Sequence, residues 1–381
     1  MDLIIKDALP AWYQLHPDVK VKLISREFGD HHSALTLAFA TGSGIPDIMA
    51  VENGFMGRIA NSGGLVDLMP PPYNGNQYQN KFTEFAYQQG ISKNGQLTAL
   101  PSDIGPGALF YRRDIIAKAG LNEIDITQSW ESYLTSARII KKKTHSYIVA
   151  HARDIKDVII RTNVPAGGSI YFNIDGTPAV DSARFEKAFR LAKAIRKEKL
   201  DGNLISWSNE WSEGLRRGTI ATQMMGVWFG GHLENWLAPN TKGLWRTSYL
   251  PENSKVSWGG TFLAISKTSN QRDLAWEFIK LITLNKNIQV SSFKKYNAFP
   301  ALIEALDDPF FYESSPFFDN QRPRLIWKSL AREIPPISVN KFDAIAEEII
   351  NTELDKVLNK NKDIHESLID AKNLLQKRIV R

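Results

Sequence analysis

The chain has 381 residues, 43% of them hydrophobic, and its 47 Lys and Arg against 41 Asp and Glu give a net charge of +6. A single hydrophobic core stops growing near about 250–300 residues, so two domains are expected. Cysteine is absent, which excludes disulfides, thiolate metal sites and cysteine nucleophiles.

Helices and strands are predicted to alternate along the first part of the chain. The spacing of Ile5, Ala8 and Trp12 predicts a helix over 4–15, and a strand is predicted over 19–24. A helix through residue 40 leads to an apolar run ending near Val51, which is typical of a buried parallel strand. Later helices are predicted over 55–62, 78–89, 113–120, 129 onward, 181–199, 207–218, 271–283 and two after 343, with strands over 96–101, 108–111, 219–226 and 260–265.

Polar side chains follow the apolar run at the place where open α/β sheets bind ligands. A glycine-containing turn, 42–47, feeds the run, and Glu52 and Asn53 follow it directly. Asp103 stands just before the predicted strand over 108–111. We expect these three side chains to accept hydrogen bonds from ligand hydroxyl groups.

The ten tryptophans favour a carbohydrate ligand, because aromatic faces stack on the apolar faces of pyranose rings. Trp228 follows a strand end, and Trp258 with Gly259 precedes the strand predicted over 260–265, where glycine lets backbone approach a ligand. Trp207 and Trp211 lie one turn apart at a helix start, so one is expected to face the ligand and the other the core. No catalytic or metal-binding residues are expected.

Several blocks of the sequence resemble the family 1 extracellular solute-binding proteins of ABC sugar importers. They are Thr41 to Asp47, which resembles "TGxxPD"; Tyr111 to Gly120, which resembles "YNKDLFEKAGL"; Met224 to Trp228, which resembles the strand end of "AAMxxxGxW"; and the strand over 260–265 with its following helix. The order and spacing of these blocks also match, over most of the chain.

This resemblance implies an α/β fold of the type II periplasmic-binding-protein class, with two lobes joined by a hinge and a ligand cleft between them. The lobes are expected at 1–105 plus 261–305 and at 106–260 plus 306–381. The implied function is to bind a sugar or oligosaccharide and deliver it to a membrane permease. A monomer without cofactor is expected, located in the periplasm, or outside the cell and associated with the membrane.

The beginning of the chain departs from the family pattern. Such a sheet normally starts with a strand and a ligand-facing loop, whereas the first predicted element is a helix. We expect that strand to be missing or to lie upstream of Met1, and no signal peptide is recognised in these residues. An unpaired sheet edge left by such a loss is expected to lower stability.

Two other functions stay open at this point. One is the binding of another solute, such as a glycerol phosphate, a polyol or a polyamine; the other is a carbohydrate-active enzyme. Nucleic-acid binding is not expected, because no aromatic-interleaved basic stripe is visible. His31 and His32 are neighbours and do not share a helix face, which disfavours a metal site, and the sequence has no P-loop or Gly-x-Ser-x-Gly motif.

Overall fold

A computed structural model describes residues 1–379 of the chain. Within them, every helix is too short or too polar to span a lipid bilayer. In chain order the elements are α1 (Asp2–Leu15), α2 (Phe28–Thr41), β1 (Ile48–Glu52), α3 (Asn53–Ala60), α4 (Glu84–Gln89), β2 (Leu100–Arg112), α5 (Arg113–Lys118), α6 (Glu123–Thr127), α7 (Trp130–Thr144), α8 (Ala152–Arg161), α9 (Ala183–Lys197), α10 (Asn209–Arg217), β3 (Thr222–Gly226), α11 (Phe229–His232), β4 (Trp245–Ser248), β5 (Ser257–Ile265), α12 (Arg272–Leu284), α13 (Lys286–Tyr296), α14 (Pro323–Glu333), α15 (Asp343–Lys360) and α16 (Ile364–Ile379).

The chain folds into two compact units, each made of three stretches of sequence. Unit 1 is Met1–Ile104, Gly259–Asp308 and Pro336–Ala344, and unit 2 is Gly105–Trp258, Pro309–Pro335 and Ile345–Arg381. The lobe boundaries expected from the sequence placed residues 306–381 in the second lobe and did not include this return of residues 336–344 to unit 1. Gly57 of α3 permits it, because a Cβ at that position would lie 2.1 Å from the carbonyl oxygen of Asn340.

In unit 1 the strand predicted to be parallel is antiparallel. β1 pairs with β5, in a register that runs from Ile48 opposite Ile265 to Glu52 opposite Thr261. An apolar run indicates a strand, and in β1 only Met49 and Val51 are fully buried, while the direction of the strand is set by a partner from a distant part of the chain. The side chains of α2 and α3 complete the core around these strands, with Leu35, Met56 and Phe262 among its buried members.

The strand predicted over 19–24 does not form. Residues 19–27 have no regular secondary structure, and none of residues 19–24 is buried. The edge of β1 that does not face β5 is instead occupied by imidazoles of α2: His31 Nε2 lies 2.7 Å from Ala50 O, and Glu52 N donates to His32 Nε2 at 3.1 Å. Two side chains thus take the backbone groups that a neighbouring strand would have paired.

Two other predicted elements differ from those observed. The helix predicted over 78–89 is a 3-10 helix, Gly75–Lys81, followed by α4. The break falls where Thr83 N donates to Ala301 O, so the backbone leaves the helical pattern to bond a distant segment. The strand predicted over 96–101 begins only at Leu100, as part of β2.

In unit 2, β2 is the central strand. It pairs antiparallel with β3, from Gly107 opposite Gly226, and with β4, from Leu109 opposite Ser248. The predicted helix start at Ser129 is confirmed, since Ser129 Oγ accepts from the backbone N–H of Ser132 and α7 begins at Trp130. The long helix expected over 181–199 and the pair of helices after residue 343 are also confirmed, as α9, α15 and α16.

His32 should make unit 1 sensitive to acid. Its Nδ1 lies 2.9 Å from Phe28 O and its Nε2 accepts from Glu52 N, so the ring is neutral and a second proton would face an N–H donor. Burial lowers the pKa of His32 from its ordinary value of 6.5. Its contribution to stability is therefore complete above about pH 6.5 and is lost as the pH falls, with a slope of at most about 1.4 kcal/mol per pH unit.

The measurement is the melting temperature of wild type and His32→Gln between pH 5 and 8. A glutamine amide can keep both hydrogen bonds but does not titrate, so the variant should lose less stability than wild type below pH 6.5. His365→Gln, at an exposed position, is the control and should follow wild type. Coincident curves for wild type and His32→Gln would contradict the prediction.

Candidate functional site

Trp228 lies directly against backbone in unit 2. Its indole N–H donates to the carbonyl oxygen of Trp258 at 3.1 Å. Glycine at two neighbouring positions makes this approach possible, because a Cβ would lie 2.3 Å from Trp228 Nε1 at Gly226 and 2.9 Å from it at Gly105. The half-buried indole of Trp228 thus packs against the backbone at the end of β3 and against the backbone of β2 where unit 2 begins.

Trp207 is the next indole of the site, and it is held in an unusual conformation. Its backbone φ is +74°, in a turn before α10 in which Ser208 N donates to Ile205 O. Such a φ favours glycine, and a bulky residue there costs of the order of 1–3 kcal/mol, which points to a functional reason for the side chain. Trp207 is 51% exposed, and its ring lies 6.1 Å from that of Trp228, with only 18° between the planes.

Trp236 and His232 complete the group, and both were missed by the sequence analysis. Trp236 is 52% exposed, and its ring is 6.4 Å from that of Trp207 at 20° between planes. The His232 ring stands steeply to all three indoles, at 5.7 Å from Trp207, 5.5 Å from Trp228 and 5.6 Å from Trp236. Positions 228, 232 and 236 are four residues apart, a helical spacing that could have revealed them. We call these four residues the indole cluster.

Trp211 is the core-facing one of the two tryptophans one turn apart, and its predicted part in ligand binding stays a prediction. It is fully buried, and its indole N–H donates to Gln223 Oε1 at 2.9 Å. Gln223 in turn donates to Asp154 Oδ2 at 3.0 Å. Burial raises the pKa of Asp154 to about 7. Of the two tryptophans one turn apart, Trp207 is therefore the exposed one.

Trp258 has one face covered by a cation. The Arg161 guanidinium lies 5.2 Å from the centre of its ring. Arg161 is itself paired with Asp157 at 3.2 Å and lies 3.7 Å from Glu347. Trp258 thus contributes its carbonyl group to Trp228 and a half-buried ring to the surface of unit 2.

The other four predicted site residues lie in unit 1. Glu52 caps α3, since its Oε2 accepts from Gly54 N at 2.7 Å. Asn53 has a buried Oδ1 without a hydrogen-bond partner among residues 1–379. Burial raises the pKa of Asp103, against hydrogen bonds from Thr261, and Gly259 has φ +84°. That these residues share one ligand with the indole cluster stays a prediction.

A groove in unit 2 runs along α10 beside the indole cluster. Its volume is about 730 Å³, and Trp207 and Trp236 form part of its wall together with polar residues, Asn209, Glu210, Ser212, Glu213, Arg216, Arg217 and Thr219 among them. Half-exposed indoles beside carboxylate and amide groups suit a ligand with apolar ring faces and many hydroxyls. Over the described residues 1–379, no group of three or more His, Cys, Asp or Glu could hold a metal ion.

Comparison with known proteins identifies relatives over most of the chain. An arabinooligosaccharide-binding protein of Halalkalibacterium halodurans is 22% identical over 83% of this chain and 72% of its own length. A lactose-binding protein of Rhizobium radiobacter is 23% identical over 89% of this chain and 81% of its own length.

Solved structures show the fold. A family 1 extracellular solute-binding protein has a TM-score of 0.86 at 22% identity, covering 98% of this chain and 96% of its own. The galacto-N-biose and lacto-N-biose I-binding protein of Bifidobacterium longum has a TM-score of 0.80 at 19% identity, covering 97% and 91%. The α/β solute-binding-protein fold expected from the sequence is thus confirmed.

The family model for bacterial extracellular solute-binding proteins matches residues 2–289, about three quarters of the chain. The members and relatives found are binding proteins rather than enzymes. The chain belongs to the bacterial extracellular solute-binding protein family.

Proposed function

We propose that this protein is the substrate-binding component of an ABC importer and that it binds a sugar or oligosaccharide on the indole cluster. The observation that carries the proposal is the set of two half-exposed indoles, Trp207 and Trp236, aligned with Trp228. Aromatic faces of this kind supply affinity for the C–H faces of sugar rings. The relatives named as arabinooligosaccharide- and lactose-binding proteins support the same ligand class.

The charges around the cluster favour a neutral ligand over a phosphate ester. Arg161 is engaged by Asp157, and Arg216 and Arg217 of the groove lie within ion-pair distance of Glu213. Arginines in such pairs are poor anion sites, because a phosphate would have to displace a carboxylate.

The protein acts outside the cytoplasm, binds its ligand without transforming it, and passes it to a membrane permease. We propose further that the two units are the two lobes of this fold, and that the ligand favours one arrangement of them because it binds that arrangement better.

A thermal-shift screen tests the ligand class, using arabino- and galacto-oligosaccharides, lactose, polyols, polyamines and glycerol phosphate as probes. A ligand at 100 times its dissociation constant stabilises the folded protein by about 2.7 kcal/mol. Stabilisation by sugars alone is expected. Stabilisation by a polyamine or by glycerol phosphate and not by sugars would overturn the proposal, as would a product formed from the sugar.

Trp228→Ala should weaken sugar binding by about 1–3 kcal/mol, which is the usual contribution of an aromatic anchor. Calorimetric titration measures the affinity and a melting curve the stability. Trp130→Ala removes a buried indole from α7 of the same unit and should do the opposite, lowering the melting temperature and sparing the affinity. An unchanged affinity in Trp228→Ala would show that Trp228 only packs.

Trp207→Gly should separate binding from stability. The change removes an exposed indole, so sugar affinity should fall by about tenfold or more. It also relieves a φ of +74°, so the melting temperature should stay at or above that of wild type. Trp236→Gly removes an indole of similar exposure without this relief, and it should lose both affinity and stability. A large fall in the melting temperature of Trp207→Gly would contradict the strain argument.

A further inference from the structure

We propose that His232 is a positioning residue of the binding site: its imidazole fixes the orientation of Trp236 and the spacing of the three indoles. The ligand part of this inference rests on the proposed function, whereas the geometric part does not. The ring of His232 contacts all three indoles at 5.5 to 5.7 Å, closer than the parallel indoles of the cluster lie to one another.

The first step is the geometry of the ring contacts. The imidazole plane makes angles of 88° with Trp207, 71° with Trp228 and 71° with Trp236. These are edge-to-face contacts, with centroid distances well inside the range of about 4.5–7 Å for such pairs. The parallel contacts between indoles are longer, at 6.1 and 6.4 Å. The imidazole is therefore the closest common neighbour of all three indoles.

The second step is the hydrogen bond to Trp236. Trp236 Nε1 donates to His232 Nδ1 at 3.0 Å. Trp236 is more than half exposed, so packing alone constrains its ring weakly, and a directional bond is needed to fix its rotation. It belongs to a π-helical turn, Leu233–Leu237, of a kind that is frequent at functional sites.

The third step concerns protonation. An indole N–H can only donate, so Nδ1 must offer its lone pair and the proton of the neutral ring is on Nε2. A second proton, on Nδ1, would place two N–H donors, those of His232 and Trp236, against each other, and the hydrogen bond that orients Trp236 would be lost. Burial lowers the pKa of His232 and so favours the neutral ring near neutral pH. The charged groups on the elements around it are Glu234 on its own segment, Glu210, Glu213, Arg216 and Arg217 of α10, and Arg324 of α14.

Two variants of the full chain distinguish the role of His232 as a hydrogen-bond acceptor from the role of its ring in packing. His232→Gln has a side-chain oxygen that can accept from Trp236 and does not titrate, whereas His232→Phe keeps a ring but has no acceptor. The readouts are the near-ultraviolet circular dichroism of the stacked indoles and calorimetric binding of the sugar that stabilises wild type in the screen, both between pH 5 and 8. His365→Gln is the exposed control.

We expect the wild-type dichroism and affinity to be constant above about pH 6.5 and to fall below it. His232→Phe should change the dichroism and weaken binding by about 3- to 10-fold at pH 7.5, the effect of one lost hydrogen bond. His232→Gln should stay close to wild type at pH 7.5 and lose the pH dependence. Wild-type dichroism and affinity in His232→Phe, or a pH profile unchanged in His232→Gln, would overturn the positioning role.

A failure of the proposed function gives a different result. If no sugar binds to wild type while His232→Phe alters the dichroism, the ligand class is wrong and the positioning of the indoles stands. If sugar binds to wild type and to both variants alike, the proposed function stands and the role of His232 is wrong. Should His232→Phe fail to fold, the comparison of pH profiles between wild type and His232→Gln still decides the matter.

Discussion

The hydrogen bond from Trp228 to the carbonyl group of Trp258 is the contact on which the candidate site depends. It fixes an indole against backbone that only glycine at positions 105 and 226 leaves open. An indole fixed in this way gives Trp207 a nearly parallel neighbour, and Trp207 in turn gives one to Trp236. The two exposed rings at the surface are therefore ordered from a buried contact outward, which lowers the entropy cost of binding a ligand.

This order is maintained against local preferences of the chain. Trp207 occupies a left-handed backbone conformation, and Trp236 belongs to a π-helical turn, although neither arrangement is favoured for such residues. Both exceptions place a large apolar ring in water, which the folding of a core would not select. An unfavourable backbone conformation combined with an exposed aromatic side chain is expected at positions where the residue type is selected for ligand binding rather than for stability.

Neutral imidazoles recur as hydrogen-bond acceptors in both units. His32 accepts from the backbone of β1, His232 accepts from Trp236, and His151 Nδ1 accepts from Arg153 N at the start of α8. Burial lowers the pKa of each of them. Each of these three histidines thus binds fewer protons in the folded protein than in the unfolded chain, so the stability that each contributes is lost as the pH is lowered below about 6.5.

Much of the fold and part of the site could be predicted from the sequence, because they depend on local patterns. The Ser129 cap, the helices of the second half and the apolar run before Glu52 are set by hydrophobic spacing and side-chain chemistry within a few residues. The Met224 to Trp228 block likewise indicated an indole at a strand end. The family resemblance rested on the order of such blocks.

Only the tertiary structure decided which residues and strands the predicted elements contact. The direction of β1 depends on β5, and histidines of α2, rather than a strand over 19–24, bond the backbone of β1 at Ala50 and Glu52. Trp207 and Trp211 have similar sequence environments, yet one is exposed and the other is bound to Gln223. His232 and Trp236 acquire a role only through the rings beside them, since contacts between distant residues cannot be read from local spacing.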